Sequence, residues 1–509
     1  MPGKDDKQYV HAVALVSAFL FGASSLWRIR QISQERERKA RSGQANPLTV
    51  GYVREGSVSR RCMRALAPST PYLMSFLRGL EYPCDPTIRP EGFIALCVAE
   101  NKLVMDVLSD RLQHSSATQA AFSDPTVYCY NSFLGLPVAR QAAAYFLAKR
   151  FLLTEQQHEV TLDQALRRIR PDHIGICAGA GAALNSLFYL LGDEGDACLI
   201  PAPYYAAFES DMSVVSGIIP FAVHMANPTT GPSESELDLA YMEAKSQGLN
   251  PRFLLITNPN NPLGIIYKRD VLARAVTWAR KRKVHSIFDE IYALSTHEKY
   301  GHGFESIIKI LDNKLDDDVH FVWSVSKDFG ASGLRVGVLY SQNETFLVGL
   351  SNLNVFSGVS HPIQMVVSEL LTDDDFVDLY LDESRARLKQ SYLICIEKLE
   401  EMVLPFVPVE AGQFVYVDFS SLLPEKTVAW EQRLSQLLID YGRVILTPGE
   451  SQRERMPGMF RICYAWVTPD VLKIGMERLS RIVGKIRRMD WSDLNESSLA
   501  GVLAVGFDR

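Results

Sequence analysis

The sequence predicts an α/β fold, with a large domain around a mostly parallel sheet and a smaller α/β lobe. Between about residues 170 and 345, short apolar runs without polar alternation are each followed by turn residues, which is typical of buried parallel strands. Helical segments such as 268–283 separate these runs, as crossover connections require. The amphipathic segment 376–400 and the strand-like runs beginning near 412 and 459 predict the smaller lobe.

The composition is that of an ordinary globular protein. Of 509 residues, 47% are hydrophobic and 22% are charged, which is enough apolar material for a large core. The net charge of −6 gives no reason to expect a nucleic-acid partner. The 8 cysteines are scattered through apolar runs without a CxxC pair, so we expect reduced, mostly buried thiols and no metal site.

The N-terminal segment 9–27 is nearly all apolar and contains no Asp, Glu, Lys or Arg. Its length suits a bilayer span, and Tyr9 and Trp27 at its ends suit interfacial anchoring. The arginines that follow would keep the body of the protein on the cytosolic side. We therefore predict a membrane anchor, with a buried helix or a cleaved signal peptide as alternatives. A signal peptide normally carries its positive charge before the apolar run.

The elements along the chain divide it into five segments. Residues 92–112 begin as a strand-like run and continue as an amphipathic helix, and 137–151 reads as a helix with Pro in its first turn. The predicted segments are 1–48, an apolar stretch with a polar linker; 49–114, the first part of the small lobe; 115–375, the large domain; 376–488, the rest of the small lobe; and 489–509, a tail.

Functional groups in such sheets gather at the carboxyl ends of the strands, and the segment 324–337 (SVSKDFGASGLRVG) provides several. Lys327 directly follows a hydrophobic run, and a buried lysine can lose its proton and attack a carbonyl. Ser324, Ser326 and Arg335 could bind a phosphate beside it. The alternative is a surface lysine at a helix start.

Three further strand ends carry polar or aromatic groups. In FDEIYA, Asp289 could pair with a protonated ring nitrogen and Tyr292 with a phenolic oxygen, although a helix N-cap also suits an Asp. In TNPNNPLG, Asn261 offers an amide to a ligand from a tight loop. In PAPYYAAF, Tyr205 could stack on a flat ring or simply pack in the core.

Two more segments suggest anion binding. The small-residue loop that opens the apolar helix of 177–192 can hold a phosphate through backbone N–H groups. Arg461 lies inside the apolar run MFRICYA and needs a partner, which would be a substrate carboxylate or an internal salt bridge.

Taken together and in this order, these segments resemble the fold-type I pyridoxal 5'-phosphate (PLP) enzymes of the aminotransferase class I/II family. Within it the chain is most similar to 1-aminocyclopropane-1-carboxylate (ACC) synthases and ACC-synthase-like proteins. The spacing agrees, with 28 residues from Asn261 to Asp289 (289 − 261) and 38 from Asp289 to Lys327 (327 − 289). The resemblance covers roughly 85–487. It is carried by VAENKLVMDVLSDRL, GLPVARQAAAYF, LIPAPYYAAFESD, NPNNPLG, DEIYALS and SVSKDFGASGLRVGVLYS.

The resemblance implies an aminotransferase-like fold and PLP as the cofactor. Lys327 would be the Schiff-base lysine and would then move the Cα proton. Asp289 would keep the pyridine nitrogen protonated, Asn261 and Tyr292 would contact the ring oxygen, and Tyr205 would stack on the ring. The other implied contacts are Ser324, Ser326, Arg335 and the backbone at Ala180 and Gly181 for the cofactor phosphate, with Arg461 for the substrate carboxylate and Glu100 near the reacting substrate.

Two positions depart from the family pattern. Phe133 occupies the place of a tyrosine that normally reaches across a homodimer towards cofactor and substrate, and Gly181 replaces a hydroxyl residue of the phosphate loop. Both changes remove donors near the phosphate. The prediction is therefore a homodimeric PLP enzyme acting on a small amino acid, as an aminotransferase or C–S lyase rather than a true ACC synthase using S-adenosylmethionine. An inactive PLP-fold binding protein is the remaining alternative.

Overall fold

The computed structural model describes residues 71–153, 160–297 and 303–488, together with positions 59, 61, 62 and 65. The predicted membrane anchor at 9–27 and the predicted tail at 489–509 lie outside the described residues. Among the helices that are described, none is long and apolar enough to cross a membrane.

The large domain is built on a seven-stranded sheet with the strand order β2-β8-β7-β6-β5-β3-β4. All neighbours are parallel except β8, which runs antiparallel to both β2 and β7. The mostly parallel sheet is thus confirmed. The strands are β2 (Ile174–Cys177), β3 (Asp196–Ala202), β4 (Ile219–His224), β5 (Asn250–Thr257), β6 (His285–Asp289), β7 (Val319–Ser324) and β8 (Gly337–Ser341).

One strand direction differs from the sequence prediction. The run that forms β8 reads like its buried parallel neighbours because all five of its residues are buried. The connection from β7 to β8, residues 325–336, contains only two short helical turns. A parallel return would need a longer crossover, so the chain comes back antiparallel.

The helices cover both faces of the sheet, which explains why its central strands lack polar alternation. Along β5, Phe253 and Leu255 pack into one apolar layer while Leu254 and Ile256 pack into the other. The predicted helix with Pro137 in its first turn is present and continues as one π-helical turn, Ala148–Leu152. The helices are α1 (Pro71–Glu81), α2 (Met105–His114), α3 (Ser116–Ala120), α4 (Pro137–Leu147), α5 (Leu162–Arg168), α6 (Ala180–Leu191), α7 (Phe208–Ser213), α8 (Glu234–Ser246), α9 (Arg269–Arg282), α10 (Ile307–Ile310), α11 (Val325–Asp328), α12 (Glu344–Leu353), α13 (His361–Thr372), α14 (Asp374–Glu401), α15 (Val428–Asp440) and α16 (Pro469–Ile486).

The small lobe joins segments from both ends of the described chain. Ile94 pairs with Val444, which brings the first strand beside the C-terminal strands. The predicted long helix at 376–400 is α14, and the domain boundaries themselves stay a prediction. The remaining strands form a parallel pair and an antiparallel three-stranded sheet: β1 (Ile94–Ala95) with β10 (Val444–Ile445), and β11 (Thr447–Pro448), β12 (Met459–Cys463) and β9 (Phe414–Asp418).

The parallel register places three strand ends side by side. Thr257 at the end of β5 pairs with Asp289 at the end of β6, which in turn pairs with Val322 near the end of β7. The loops that follow these strands therefore meet at one edge of the sheet, which is where an open α/β sheet places a ligand site.

Candidate active site

Lys327 lies in α11, the helical turn that directly follows β7. Ser324 caps this turn, since its Oγ accepts a hydrogen bond from the Ser326 N–H at 2.9 Å. The Lys327 Nζ donates to the carbonyl of Ala99 at 2.7 Å. Burial lowers the pKa of Lys327, and the negative charge of Glu100 partly opposes that shift. The alternative of a surface lysine at a helix start is therefore wrong.

Asp289 ends the neighbouring strand and is only 5% exposed. Its carboxylate accepts one long hydrogen bond, from the N–H of Ile291 at 3.3 Å. Burial raises the pKa of Asp289 to about 7. A buried carboxyl with so little hydrogen bonding is suited to a cationic partner.

A hydrogen-bonded chain leads from Tyr292 into the small lobe. The Asn261 amide donates to the Tyr292 hydroxyl at 3.4 Å, and its carbonyl oxygen accepts from the Arg461 guanidinium at 2.8 Å. Arg461 also donates to the carbonyl of Cys97 at 2.7 Å and to the Thr447 hydroxyl at 3.2 Å. These partners are all neutral, so a carboxylate would be the stronger partner for this guanidinium.

The same arginine lies over an aromatic ring and keeps one free donor. Its guanidinium carbon is 5.2 Å from the ring centroid of Phe414, and that ring packs edge-on against Tyr292. The Arg461 Nε is buried without a hydrogen-bond partner. Within the described part of the chain Arg461 has no ion pair with a carboxylate, so the internal salt bridge weighed from the sequence is not found.

The loop before α6 and Arg335 form a cradle at the other end of the site. Gly179 has a φ of +87°, and a Cβ there would lie 2.6 Å from the Arg335 guanidinium. Arg335 donates to the carbonyl of Ala178 at 2.9 Å, which fixes the guanidinium against the first turn of α6. The space beside Gly181 is open, with no atom within 4 Å of its ideal Cβ. The first turn of α6, with the backbone N–H groups of Ala180 and Gly181, thus lies next to a guanidinium and has open space beside Gly181.

Three further predicted residues have different surroundings. Tyr205 is half-buried, with its ring packed edge-on against Phe208 at 5.3 Å. Glu100 accepts a hydrogen bond from the Ser332 hydroxyl. Phe133 is 38% exposed and packs beside Tyr130, with ring centroids 6.1 Å apart. Within one chain, Phe133 is therefore not brought to the Lys327 group.

Residues that the sequence reasoning missed complete the site. The Gln413 amide donates to the backbone carbonyl of Lys327 at 3.0 Å, and Thr447 supports Arg461. Asp211 lies near Asp289, and burial raises its pKa to about 7. The polar Thr447 at the end of the apolar run VILT was a usable signal, whereas nothing local marks Gln413 or Asp211.

The arrangement fits PLP. A buried amine with a lowered pKa, a buried carboxyl without a strong partner and an arginine-lined cradle at a helix N-terminus match the aldehyde, the ring nitrogen and the phosphate of that cofactor. The residues that would hold it are Lys327, Asp289, Arg335, Ser324, Ser326 and the backbone of Ala180 and Gly181.

Comparisons with known proteins agree with this geometry. The family described as aminotransferase class I and II matches residues 96–479. The chain is 32% identical over 428 residues to 1-aminocyclopropane-1-carboxylate synthase 1 of Oryza sativa subsp. indica, covering 80% of this chain and 85% of that protein. It is 31% identical over 412 residues to 1-aminocyclopropane-1-carboxylate synthase 6 of Arabidopsis thaliana, covering 78% and 80% respectively.

Solved structures share the fold. A Thermus thermophilus aspartate aminotransferase double mutant superposes with a TM-score of 0.66 at 20% identity, covering 84% of this chain and 99% of that one. An aromatic aminotransferase from Pyrococcus horikoshii OT3 gives a TM-score of 0.64 at 19% identity, covering 78% and 96%. At these identities the likeness shows the aminotransferase fold alone.

The charge of Glu100 provides a test of the electrostatics around Lys327. Because the Glu100 carboxylate raises the pKa of Lys327 against the effect of burial, Glu100→Gln should lower that pKa further. The pH dependence of reductive methylation at Lys327, followed by mass spectrometry, should shift to lower pH. Glu383→Gln on α14 is the matched control and should leave the profile unchanged. An unshifted profile in Glu100→Gln would show that this carboxylate does not act on the lysine.

Proposed function

The chain belongs to the aminotransferase class I and II family, a family of PLP-dependent enzymes, and from that premise we propose that it binds PLP at Lys327 and acts on an α-amino acid. One observation carries the proposal. A partly buried lysine with a lowered pKa and a buried carboxyl without a strong partner lie at the ends of neighbouring strands, beside a cradle suited to phosphate.

PLP, when bound, withdraws electrons from the substrate Cα and so makes its proton acidic. Lys327 would hold the cofactor and then move that proton, which its lowered pKa favours because the neutral amine is the base. Asp289 would lie against the ring nitrogen. A cation there would lower the pKa of Asp289 from about 7 and keep this carboxyl ionised.

Arg461 would bind the substrate α-carboxylate. Its guanidinium already donates to three neutral oxygens, of Asn261, Cys97 and Thr447, which fix its position before the substrate arrives. The unpartnered Nε and the underlying Phe414 ring leave capacity for a charge-assisted bond. Because Asn261 also contacts Tyr292, the substrate carboxylate and the ring oxygen would be held by one connected set of side chains.

Transamination or C–S bond cleavage is the reaction that we favour. Phe133 cannot donate the hydrogen bond that a tyrosine would supply. Gly181 stands in place of a hydroxyl residue, so a second donor is missing as well. True ACC synthesis from S-adenosylmethionine is the second candidate. It is favoured by the 32% identity to the rice ACC synthase over 80% of this chain.

A homodimer would place a second chain against Phe133. The surface around it is aromatic and exposed, with Tyr130 at 94% and Phe356 at 87% exposure. Asn354 connects the two parts of this surface, because its amide donates to the Phe133 carbonyl at 2.9 Å. An exposed apolar patch of this kind marks a protein interface.

Cofactor uptake is the first expected outcome. The full chain mixed with PLP should gain the visible absorbance of lysine-bound cofactor, and borohydride should then trap it on Lys327 in a peptide map. Lys327→Ala should bind PLP only reversibly and show no trapped peptide. Lys309→Ala, a change on α10 outside the site, is the control and should behave as the parent. A parent without absorbance and without trapping would leave the inactive binding protein as the better description.

The reaction type follows from the products. With amino donors and a keto acid acceptor, the loaded protein should convert donor to keto acid in proportion to amino acid formed. A C–S lyase would instead release a thiol and ammonia without an acceptor. ACC formed from S-adenosylmethionine at a higher kcat/KM than either of these would overturn our preference and establish the second candidate.

Disruption of the aromatic surface should separate the subunits. Tyr130→Glu together with Phe356→Glu places charges in the proposed interface, so the sedimentation coefficient should fall to that of one chain. Leu239→Glu with Met242→Glu changes two exposed apolar residues of α8 and should leave a dimer intact. A parent that sediments as a single chain at micromolar concentration would contradict the dimer.

A further inference from the structure

We propose that Asp328 is a positioning residue that fixes Lys327 and the Tyr292 turn relative to each other. The inference rests on the proposed function, because it concerns the same site. Asp328 directly follows Lys327 in α11 and is only 1% exposed. Its carboxylate faces away from solvent, so its interactions are those that the protein itself supplies.

Three donors hold the carboxylate. The Ser295 hydroxyl donates to one oxygen at 2.6 Å, and the indole N–H of Trp323 donates to the other at 2.8 Å. The backbone N–H of Leu294 adds a third bond at 3.2 Å. The indole and the backbone N–H can only donate, and both bond the same oxygen, while the Ser295 hydroxyl donates to the other. An amide in place of the carboxylate would lose the negative charge that strengthens all three bonds and would make the Ser295 hydroxyl an acceptor, so the set would be weaker.

These bonds join two segments that carry site residues. Ser295 closes the turn that begins at Tyr292, because its backbone N–H donates to the Tyr292 carbonyl at 3.0 Å. Trp323 lies in β7, four residues before Lys327. The carboxylate therefore connects the end of β6, with Tyr292, to the end of β7, with Lys327.

A third segment closes the circuit from the small lobe. The Gly412 N–H donates to the carbonyl of Ser295 at 2.7 Å, and the amide of its neighbour Gln413 donates to the carbonyl of Lys327 at 3.0 Å. The path from Asp328 through Ser295, Gly412 and Gln413 thus returns to Lys327, the residue next to Asp328. A closed circuit of this kind constrains orientation more strongly than any of its bonds alone.

The anchor of the circuit is itself rigid. The Trp323 ring packs against Phe146 with centroids 4.9 Å apart, and against Phe151 and Phe329 at 6.0 and 6.2 Å. A carboxylate bonded to an indole held in this way cannot follow a movement of the lysine turn. A displacement of Lys327 would therefore break one of the hydrogen bonds to the Asp328 carboxylate, or the hydrogen bond from the Gln413 amide to the Lys327 carbonyl.

Asp328→Asn and the milder Ser295→Ala test the role. Asp328→Asn keeps the shape and loses an acceptor, while Ser295→Ala removes one donor and leaves the other two. Asp238→Asn is the control, because Asp238 on α8 also accepts an indole N–H, from Trp278 at 2.8 Å; its other partner is Arg282, and neither partner is a residue of the proposed site. Urea unfolding of each variant checks that it remains folded.

The first measurement is amide hydrogen exchange of the cofactor-free proteins. Peptides that span 292–295 and 327–330 should both exchange faster in Asp328→Asn and, to a smaller degree, in Ser295→Ala. In Asp238→Asn both should exchange as in the parent. If one peptide changes without the other, the two segments are not coupled through Asp328, and the proposal fails.

The second measurement is the rate of borohydride-trappable PLP attachment to Lys327 at saturating PLP. We expect a loss of about tenfold or more in Asp328→Asn, since misorientation of a reacting group costs that much or more. The conservative Ser295→Thr keeps the hydroxyl and should retain the parent rate, which a general loss of stability would not predict. A parent that attaches no PLP overturns the proposed function and the positioning role with it. A parent that attaches PLP while Asp328→Asn and Ser295→Ala attach it equally fast overturns the positioning role alone.

Discussion

The constraint on which this site depends is the burial of a lysine amine and a carboxyl that have no ion-pair partner among the described residues. Lys327 and Asp289 both lie at strand ends from which water is largely excluded, and the pKa of each is displaced towards its neutral form. An unpaired charge in such surroundings is costly. The rest of the fold offsets this unfavourable free energy, because parallel pairing and helices on both faces fix the ends of β6 and β7. A cofactor with a carbonyl carbon and a basic nitrogen would give both groups a partner, the carbon for the Lys327 amine and the protonated nitrogen for the Asp289 carboxylate.

The two lobes contribute different things to the site. The large domain supplies the lysine and the carboxyl from the ends of β7 and β6, and the proposed phosphate cradle from the loop after β2 and from Arg335. The small lobe supplies Arg461 on β12 and the backbone carbonyl of Cys97, which lies just after β1. Asn261 is one contact between these two sets, because its side-chain oxygen accepts from Arg461 and its nitrogen donates to Tyr292. A shift of the small lobe would therefore be passed to Tyr292 through Asn261, and to Lys327 through Ala99 and Gln413.

The sequence predicted the parts of the molecule that local chemistry determines. Buried strands lack polar alternation, so the sheet and the polar residues at its strand ends, such as Asp289, could be found by pattern and by resemblance. The contacts that hold such residues in place could not be predicted, because their partners lie far away along the chain. Lys327 contacts Ala99, 228 positions away, and Arg461 contacts Asn261, 200 positions away. The direction of β8 was also missed, because burial on both faces gives the same apolar pattern in parallel and antiparallel strands.

The phosphate end of the site shows how two departures from the family pattern act together. With glycine at position 181 and phenylalanine at 133, no hydroxyl at either place can bond a phosphate. The cradle that remains consists of the first turn of α6, the two serines around Lys327 and Arg335, whose guanidinium is held by the carbonyls of Ala178 and Ser332. In this proposed site, anion binding would come mainly from backbone N–H groups and one fixed cation. Such a cradle depends on the glycine conformation at 179, since any side chain there would meet the guanidinium. Gly337 in β8 lies so close to Gly179 that a Cβ at position 337 would meet the Gly179 backbone. The cradle therefore also depends on a glycine in β8, the strand whose antiparallel direction the sequence did not predict.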